Sequence, residues 1–388
     1  MQRRHLLQRS GALLASASAG SFAVADGLPS DFASTAPLAR IRATPDRLID
    51  ISVCTRPFRP QGPRIEAEQR HGKTLVHNYG HGGSGWSLSW GSARMAVALA
   101  MTTREKHLAV VGCGAIGLTS ARVAQRAGLR VRIYCKERPP EVRSSAAAGV
   151  WSPDSRVCTS EHATPAFAQR WEAMARSSFK TYQSLLGLPG EPVQWHDGYA
   201  LSDLAFDQPV ASAIGSQEPV YPDLEDRLLP DLRPRSVAVA DGEHPFRVAH
   251  VRRYTQLVFN IASYSRLLLE DFFREGGEIE QREFTHPRQL AGLRERTIIH
   301  ATGYGARALF GDETLVPVRG QTARLVPQPE VDYGLQWRGH NLFVVPRRDG
   351  ILVQAQGEHD WNNEDVQVDR ALSEAAVHRL AAAFALRG

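Results

Sequence analysis

The feature that most restricts this chain is a short apolar run, His107-Leu108-Ala109-Val110-Val111, which breaks directly into Gly112-Cys113-Gly114-Ala115-Ile116-Gly117. The run suits a buried parallel strand. Residues 118–127 then read as a helix ending at Gly128, and Leu129-Arg130-Val131-Arg132-Ile133-Tyr134 reads as a second strand. Strand, glycine turn, helix and strand within about 30 residues is the context a dinucleotide fingerprint requires. Gly112 makes the tight turn, Gly114 lets backbone approach a pyrophosphate, and Gly117 lets helix pack on strand. Ile116 lies at the helix start, whose N–H groups face the phosphates. An acid about 20 residues further on should accept from ribose hydroxyls, and Glu137 holds that place, just behind Lys136. The turn alone does not separate NAD from FAD.

Bulk properties narrow the partners. With 388 residues the chain has enough length for one large core or two moderate ones. The formal charge of +5 comes from scattered arginine, with no basic run interleaved with aromatics. That pattern argues against nucleic acid and leaves a positive cleft for acidic or zwitterionic small molecules. The cysteines, Cys54, Cys113, Cys135 and Cys158, form no CxxC pair and no zinc spacing. His71, His77 and His81 match no common metal-binding helix pair, so no metal is expected. No apolar run is long enough for stable membrane insertion. A homodimer is a state the sequence leaves open.

The chain starts Met1-Gln2-Arg3-Arg4-His5-Leu6-Leu7, and Ala23-Val24-Ala25 offers a cleavage site. Residues 1–25 therefore read as a twin-arginine export signal, with a periplasmic or secreted destination. Residues 26–47, rich in Ala, Pro, Ser and Thr, read as linker.

Four further phrases favour a flavin. The first is Arg143-Ser144-Ser145-Ala146-Ala147-Ala148-Gly149-Val150-Trp151-Ser152-Pro153, where small residues let backbone pass a flat ligand and Ser144 and Ser145 offer hydroxyls to phosphate. The second is Thr297-Ile298-Ile299-His300-Ala301-Thr302-Gly303, a strand running into a glycine turn. The third is Val318-Arg319-Gly320-Gln321. The fourth and most specific is residues 74–91, with His77-Asn78-Tyr79-Gly80-His81-Gly82-Gly83-Ser84-Gly85-Trp86-Ser87 at its centre. Together these resemble the D-amino-acid oxidase family, FAD-dependent proteins of glutathione-reductase-type fold.

The resemblance implies an α/β protein with a Rossmann-type FAD-binding domain, drawn from residues 66–160 and 255–310. It implies an antiparallel-sheet substrate domain drawn from residues 48–65, 161–254 and 311–388. It carries FAD contacts onto Ser144, Ser145, Ala148, Gly149, Val150, Thr302 and Gly303. Onto Gly82, Gly83, Ser84, Gly85, Trp86 and Ser87 it carries the grip on the pyrimidine side of the flavin, with His77 nearby. In the family the glycine-rich dinucleotide turn opens the chain and the HNYGHGG stretch closes it. Here the closing stretch comes first, so the segments look circularly permuted, with a helix beginning near Ser92 joined to the Val110 strand across residues 101–106. A misassembled reading frame restarting at Met101 is the alternative.

On the substrate side, Thr55-Arg56-Pro57-Phe58-Arg59-Pro60 is similar to the family segment whose first Arg forks onto the substrate carboxylate, which carries over to Arg56. The family tyrosine that adds a hydroxyl contact is Phe343 here, and a second tyrosine falls on Gly339; His340, Asn341 or Arg347 are candidates to compensate. Ser152 takes a position often held by a larger polar residue, and Asp154 reads as an exposed turn acid. The chemistry implied is oxidation of a D-amino acid to 2-oxo acid and ammonia, with hydride passing to flavin beside Gly83 and electrons then passing to oxygen as hydrogen peroxide. An FAD enzyme of another small amine or imino acid, or a non-catalytic flavin-binding protein, are the other readings. Residues 205–247 match the family poorly.

Overall fold

The computed structural model describes residues 38–210, 217–355, 357 and 359–384. The expected signal, residues 1–25, lies outside them. Fourteen strands and seven α-helices are described, numbered here in chain order.

A six-stranded sheet holds the dinucleotide turn. Its strands are β2 (Arg64–Arg70), β3 (Lys73–Tyr79), β4 (His107–Val111), β5 (Arg130–Cys135), β9 (Glu278–Gln281) and β10 (Thr297–His300), in the order β2-β3-β10-β4-β5-β9. All pair in parallel except β2, which lies antiparallel at the edge. A strand buried on both faces has no polar face to alternate with, which is why β4 reads as a continuous apolar run from Leu108 to Val111.

Four helices stack on one face. α1 (Gly85–Met101) packs against α2 (Ala115–Arg126) and α3 (Pro165–Gln183), α5 (Ile261–Arg274) lies against α2, and α1 and α2 lie directly against the strands. α1 starts seven residues before the expected Ser92. Ser87, Ser89 and Gly91 are weak helix formers, but all are buried, and a Cβ at Gly91 would run into the Met174 backbone of α3. Close helix approach overrides intrinsic propensity there. Trp90 then donates its indole N–H to Tyr264 of α5 at 2.6 Å.

The second sheet has eight strands in the order β1-β11-β14-β13-β12-β6-β8-β7. They are β1 (Leu48–Phe58), β6 (Val193–Ser202), β7 (Val237–Val239), β8 (His250–Phe259), β11 (Val316–Leu325), β12 (Tyr333–Trp337), β13 (Leu342–Arg347) and β14 (Gly350–Ala355). The sheet is antiparallel apart from the β12–β6 pair. α7 (Arg370–Ala382) closes its far side over a second apolar core containing Val377 and Leu380. Short helices α4 (Glu225–Leu228) and α6 (Gly305–Phe310) complete the set.

Two boundaries differ from the sequence reading. The expected linker is packed chain from residue 38 onward, because Ile41 and Ala43 are buried in the second core. Gln328 accepts from the Arg42 N–H at 2.8 Å, and Tyr333 donates to the Ala39 carbonyl at 2.5 Å. β8 runs to Phe259 within the eight-stranded sheet, past the expected switch at 255, because its whole length pairs with β6.

Candidate active site

A single cavity of about 1500 Å³ runs between the two sheets and the α1–α2 layer. That exceeds the roughly 300–1,000 Å³ typical of sites for one drug-sized ligand, leaving room for a cofactor and a small substrate together.

Two helix N-termini open into it. Gly112, Gly114, Ala115 and Ile116 line one end, and Gly82, Gly83, Gly85 and Trp86 line the other. Neither α1 nor α2 has an acid in its first turn or a side-chain cap on its N-cap residue. Positive helix ends left unneutralised face the same space, which suits an anionic ligand at both. Gly112 sits at φ +113, and a Cβ there would collide with the Ala301 carbonyl. Gly82, at φ +57, backs onto the Arg156 carbonyl in the same way.

Ser144 joins the two helix starts. Its hydroxyl accepts from the Ala115 N–H at 3.1 Å, and its carbonyl accepts from the Trp86 indole at 2.9 Å. Two glycine loops distant in sequence are thereby held by one residue between them. Ala148, Gly149, Val150 and Ser152 continue along the wall. Phe259 donates to the Gly149 carbonyl at 2.6 Å, and Trp151 to that of Leu257 at 2.8 Å, so this loop runs as a short extra strand beside β8. Thr302, Gly303 and the exposed Glu137 also line the cavity.

Four of the sequence-derived FAD residues lie behind the wall. Gly117 meets the Gly112 carbonyl, as a helix–strand packing glycine does. Ser84 donates to the Ser155 carbonyl at 2.9 Å, and Ser87 accepts from the Ser152 N–H at 2.9 Å. Ser145 is turned into a 3-10 turn, its N–H on the Val142 carbonyl at 2.9 Å. His77 also lies off the cavity. It meets His300 at 3.0 Å inside the sheet, and burial pulls it down to about 4. His81 lines the cavity but is bound to Ser92 at 2.7 Å, and burial holds it neutral, near 3.

The other half of the cavity is floored by the eight-stranded sheet. Arg56 enters from β1, with Nη1 donating to the Arg319 carbonyl at 2.7 Å. Its guanidinium lies over Gly320, where a Cβ would stand 2.6 Å from Nη2. Burial lowers the Arg56 pKa, partly offset by Cys54, Asp360 and Glu218. No carboxylate lies within ion-pair distance of it among the described residues. Phe343 also lines the cavity, flanked across strands by Gln354 and Gln336. Of the candidates to compensate for Phe343, Asn341 lines the cavity. Arg347 is taken by Asp349 and the Ala147 carbonyl, and His340 by Asp203.

Sequence reasoning missed Tyr254 and Gln256, which project from β8. Gly198 and Gly334, paired across β6 and β12, are bare so that the Tyr254 ring and the Gln256 amide can lie over them. Gln256 Nε2 has no partner among the described residues. Alternation of Tyr254 and Gln256 along β8 was the available signal. Glu225 and Arg233, 2.6 Å apart, also stand on the wall. Burial pushes the Glu225 carboxyl up to about 8 although Arg233 draws it down. Asp154 is half-buried rather than an exposed turn acid: it accepts from the N–H groups of Leu224 and Glu225, at 3.1 and 3.0 Å, and so fixes the start of α4.

A parallel sheet with a dinucleotide turn, two uncapped helix ends facing one large cavity, and a β-sheet floor define a dinucleotide-cofactor oxidoreductase. A model of the FAD dependent oxidoreductase family, DAO, matches residues 107–386. The chain belongs to this family, and FAD is its cofactor. It is 29% identical over 286 residues to a D-amino-acid oxidase of Streptomyces coelicolor, covering 72% of this chain and 78% of that one. It is 26% identical over 273 residues to a D-amino-acid oxidase of Dictyostelium discoideum, covering 68% and 69%. Among solved structures, glycine oxidase from Geobacillus kaustophilus aligns with a TM-score of 0.49 at 17% identity, over 72% of this chain and 78% of that one.

Proposed function

We propose that this flavoenzyme oxidises a D-amino acid to its imino acid, which water hydrolyses to a 2-oxo acid and ammonia, with oxygen reduced to hydrogen peroxide. The observation that carries the reading is Arg56, a half-buried residue on the cavity wall whose one direct side-chain hydrogen bond among the described residues runs to a backbone carbonyl. A planar cation held this way offers two parallel donors to a carboxylate and sets one orientation for the amino acid. FAD, when bound, accepts the two electrons that leave the substrate Cα. The chain's residues do the remaining work. Arg56 orients the carboxylate, while Trp86, Trp151 and Phe343 keep water from the reacting carbon. The start of α1 at Gly83, Gly85 and Trp86 faces the negative charge that the cofactor gains on reduction. Ser152 shapes the wall beside it. No side-chain base is needed when the amine enters neutral.

We read the six-stranded sheet and its helices as the cofactor part and the eight-stranded sheet as the substrate part. We also read the chain as a circular permutation of the family order. Two facts support that: the family match begins at β4, and β3, which precedes β4 in sequence, is inserted between β2 and β10 in the same sheet. The twin-arginine start supports export. A second reading, an FAD enzyme of another small amine, is favoured by Phe343 and Gly339, which remove hydroxyls from the carboxylate site. A peroxide assay over a panel of D-amino acids, L-amino acids and simple amines separates the two. Peroxide with D-amino acids alone supports the first reading, and peroxide with carboxylate-free amines alone overturns it.

A further inference from the structure

Two thiols meet beneath the dinucleotide turn. Cys113 stands between the first two glycines, and Cys135 is the last residue of β5. β4 and β5 run parallel with Val111 opposite Tyr134, and the Gly112 N–H donates to the Tyr134 carbonyl at 2.8 Å. The chain leaving β4 therefore passes beside the end of β5, and there the Cys113 and Cys135 thiols come close enough for each to shift the other's proton affinity. Continued past its last pair, that register sets Cys135 opposite Gly112 and Cys113 one residue further on. A strand spacing of about 4.8 Å and a rise of about 3.3 Å per residue put the two Cα atoms roughly 6 Å apart, inside the roughly 4.4–6.8 Å a disulfide accepts. Both thiols are unbridged and both sit in the apolar core, 2% and 4% exposed. Both also line the dinucleotide end of the cavity, beside Gly112 and Gly114. A small oxidant reaches them through the cavity, the space that the bound cofactor fills.

We propose that Cys113 and Cys135 are a modification site, a dithiol that closes to a disulfide when this end of the cavity is open and that bound FAD protects. The oxidant is a peroxide, the class of product this flavoenzyme is proposed to release. Cys135 attacks first, because the neighbouring Cys113 thiol favours its thiolate, whereas Cys113 is held protonated by Cys135 and by burial. The Cys135 sulfur takes one peroxide oxygen, the O–O bond breaks, and the leaving hydroxide departs as water with the thiol proton. The Cys113 sulfur then attacks the Cys135 sulfenic acid, the S–S bond forms, the S–O bond breaks and a second water leaves. Two thiols lose two electrons and two protons in all, and one peroxide becomes two waters.

The test compares apo and FAD-loaded wild-type protein, with loading judged by flavin absorbance. Each is treated with hydrogen peroxide, denatured, alkylated and mapped by mass spectrometry. The apo protein is expected to lose two of its four thiols and to yield one linked peptide joining Cys113 and Cys135, both reversed by dithiothreitol. Loading with FAD should slow that loss at least about tenfold, and Cys135→Ser should give no linked peptide. Retention of all four thiols in the apo protein, linkage through Cys54 or Cys158 instead, or equal rates with and without FAD would each overturn the proposal. The wild-type arms decide it without the variant, and neither depends on the substrate being an amino acid.

Discussion

The two halves of the cavity are built on opposite plans. The half proposed to hold the cofactor is made of backbone: Gly82, Gly83, Gly112 and Gly114 bring main chain close, and Ser144 ties the two helix starts together. The half proposed to hold the substrate is made of side chains from strands scattered along the chain: Arg56 on β1, Tyr254 and Gln256 on β8, Gln336 on β12, Phe343 on β13 and Gln354 on β14. A backbone site depends on dihedral angles that only certain residues tolerate, so it writes itself locally into sequence. A side-chain site depends on which strands the topology sets side by side, and leaves little local mark.

The contrast predicts where substitutions act. The largest effect belongs to Gly112→Ala. At φ +113, with the Ala301 carbonyl against its Cβ, it should weaken FAD binding by about 3 kcal/mol or more, roughly 100-fold. Gly292→Ala is the control: its Cβ meets nothing within 4 Å and it lies off the cavity, so flavin retention and thermal stability should hold. Flavin retention on gel filtration and melting temperature check both, and equal behaviour of the two variants would break the comparison. Next, Arg56→Ala should keep its flavin and lose about 3 kcal/mol in kcat/KM, on the order of 100-fold, through two charge-assisted hydrogen bonds.

Glu225 supplies a pH arm. Its folded pKa of about 8 stands above the ordinary 4.5, so between those values the folded chain holds a proton that the unfolded chain has released. Stability contributed by this group therefore falls as pH climbs from about 4.5 to about 8. Glu225→Gln should flatten that part of the melting-temperature profile; an unchanged slope would remove Glu225 from the account. The smallest effect is Tyr254→Phe, which removes one cavity hydroxyl. It should raise KM about fivefold, near 1 kcal/mol, with the flavin spectrum unchanged.

Legibility followed the same division. The strand–turn–helix at 107–126 could be read outright, because a buried parallel strand and the positive φ of Gly112 leave few other residue choices. Gly82–Trp86 and Arg56 could be read only through resemblance. The start of α1 was misplaced because its serines and glycines suit a loop until α3 packs on them. Residues 205–247 matched the family poorly, yet Glu225 and Arg233 from that stretch reach the cavity wall, Glu225 held by Asp154 from a different loop and Arg233 by Glu225. No local pattern announces a carboxylate that caps a helix 70 residues away. Ser144 was read as a phosphate donor, and its role in joining Ala115 to Trp86 required the fold to become visible.

On the proposed reading, both glycine loops close on one FAD, and Arg56 presents an amino acid to it. Anaerobic titration of the purified flavoprotein with D- and L-amino acids tests this most directly. The account predicts that D-amino acids bleach the flavin, that L-amino acids do not, and that Arg56→Ala needs on the order of 100-fold more D-amino acid at equal flavin content. Failure of every D-amino acid to bleach a fully loaded flavin, or bleaching that Arg56→Ala leaves unchanged, would contradict it.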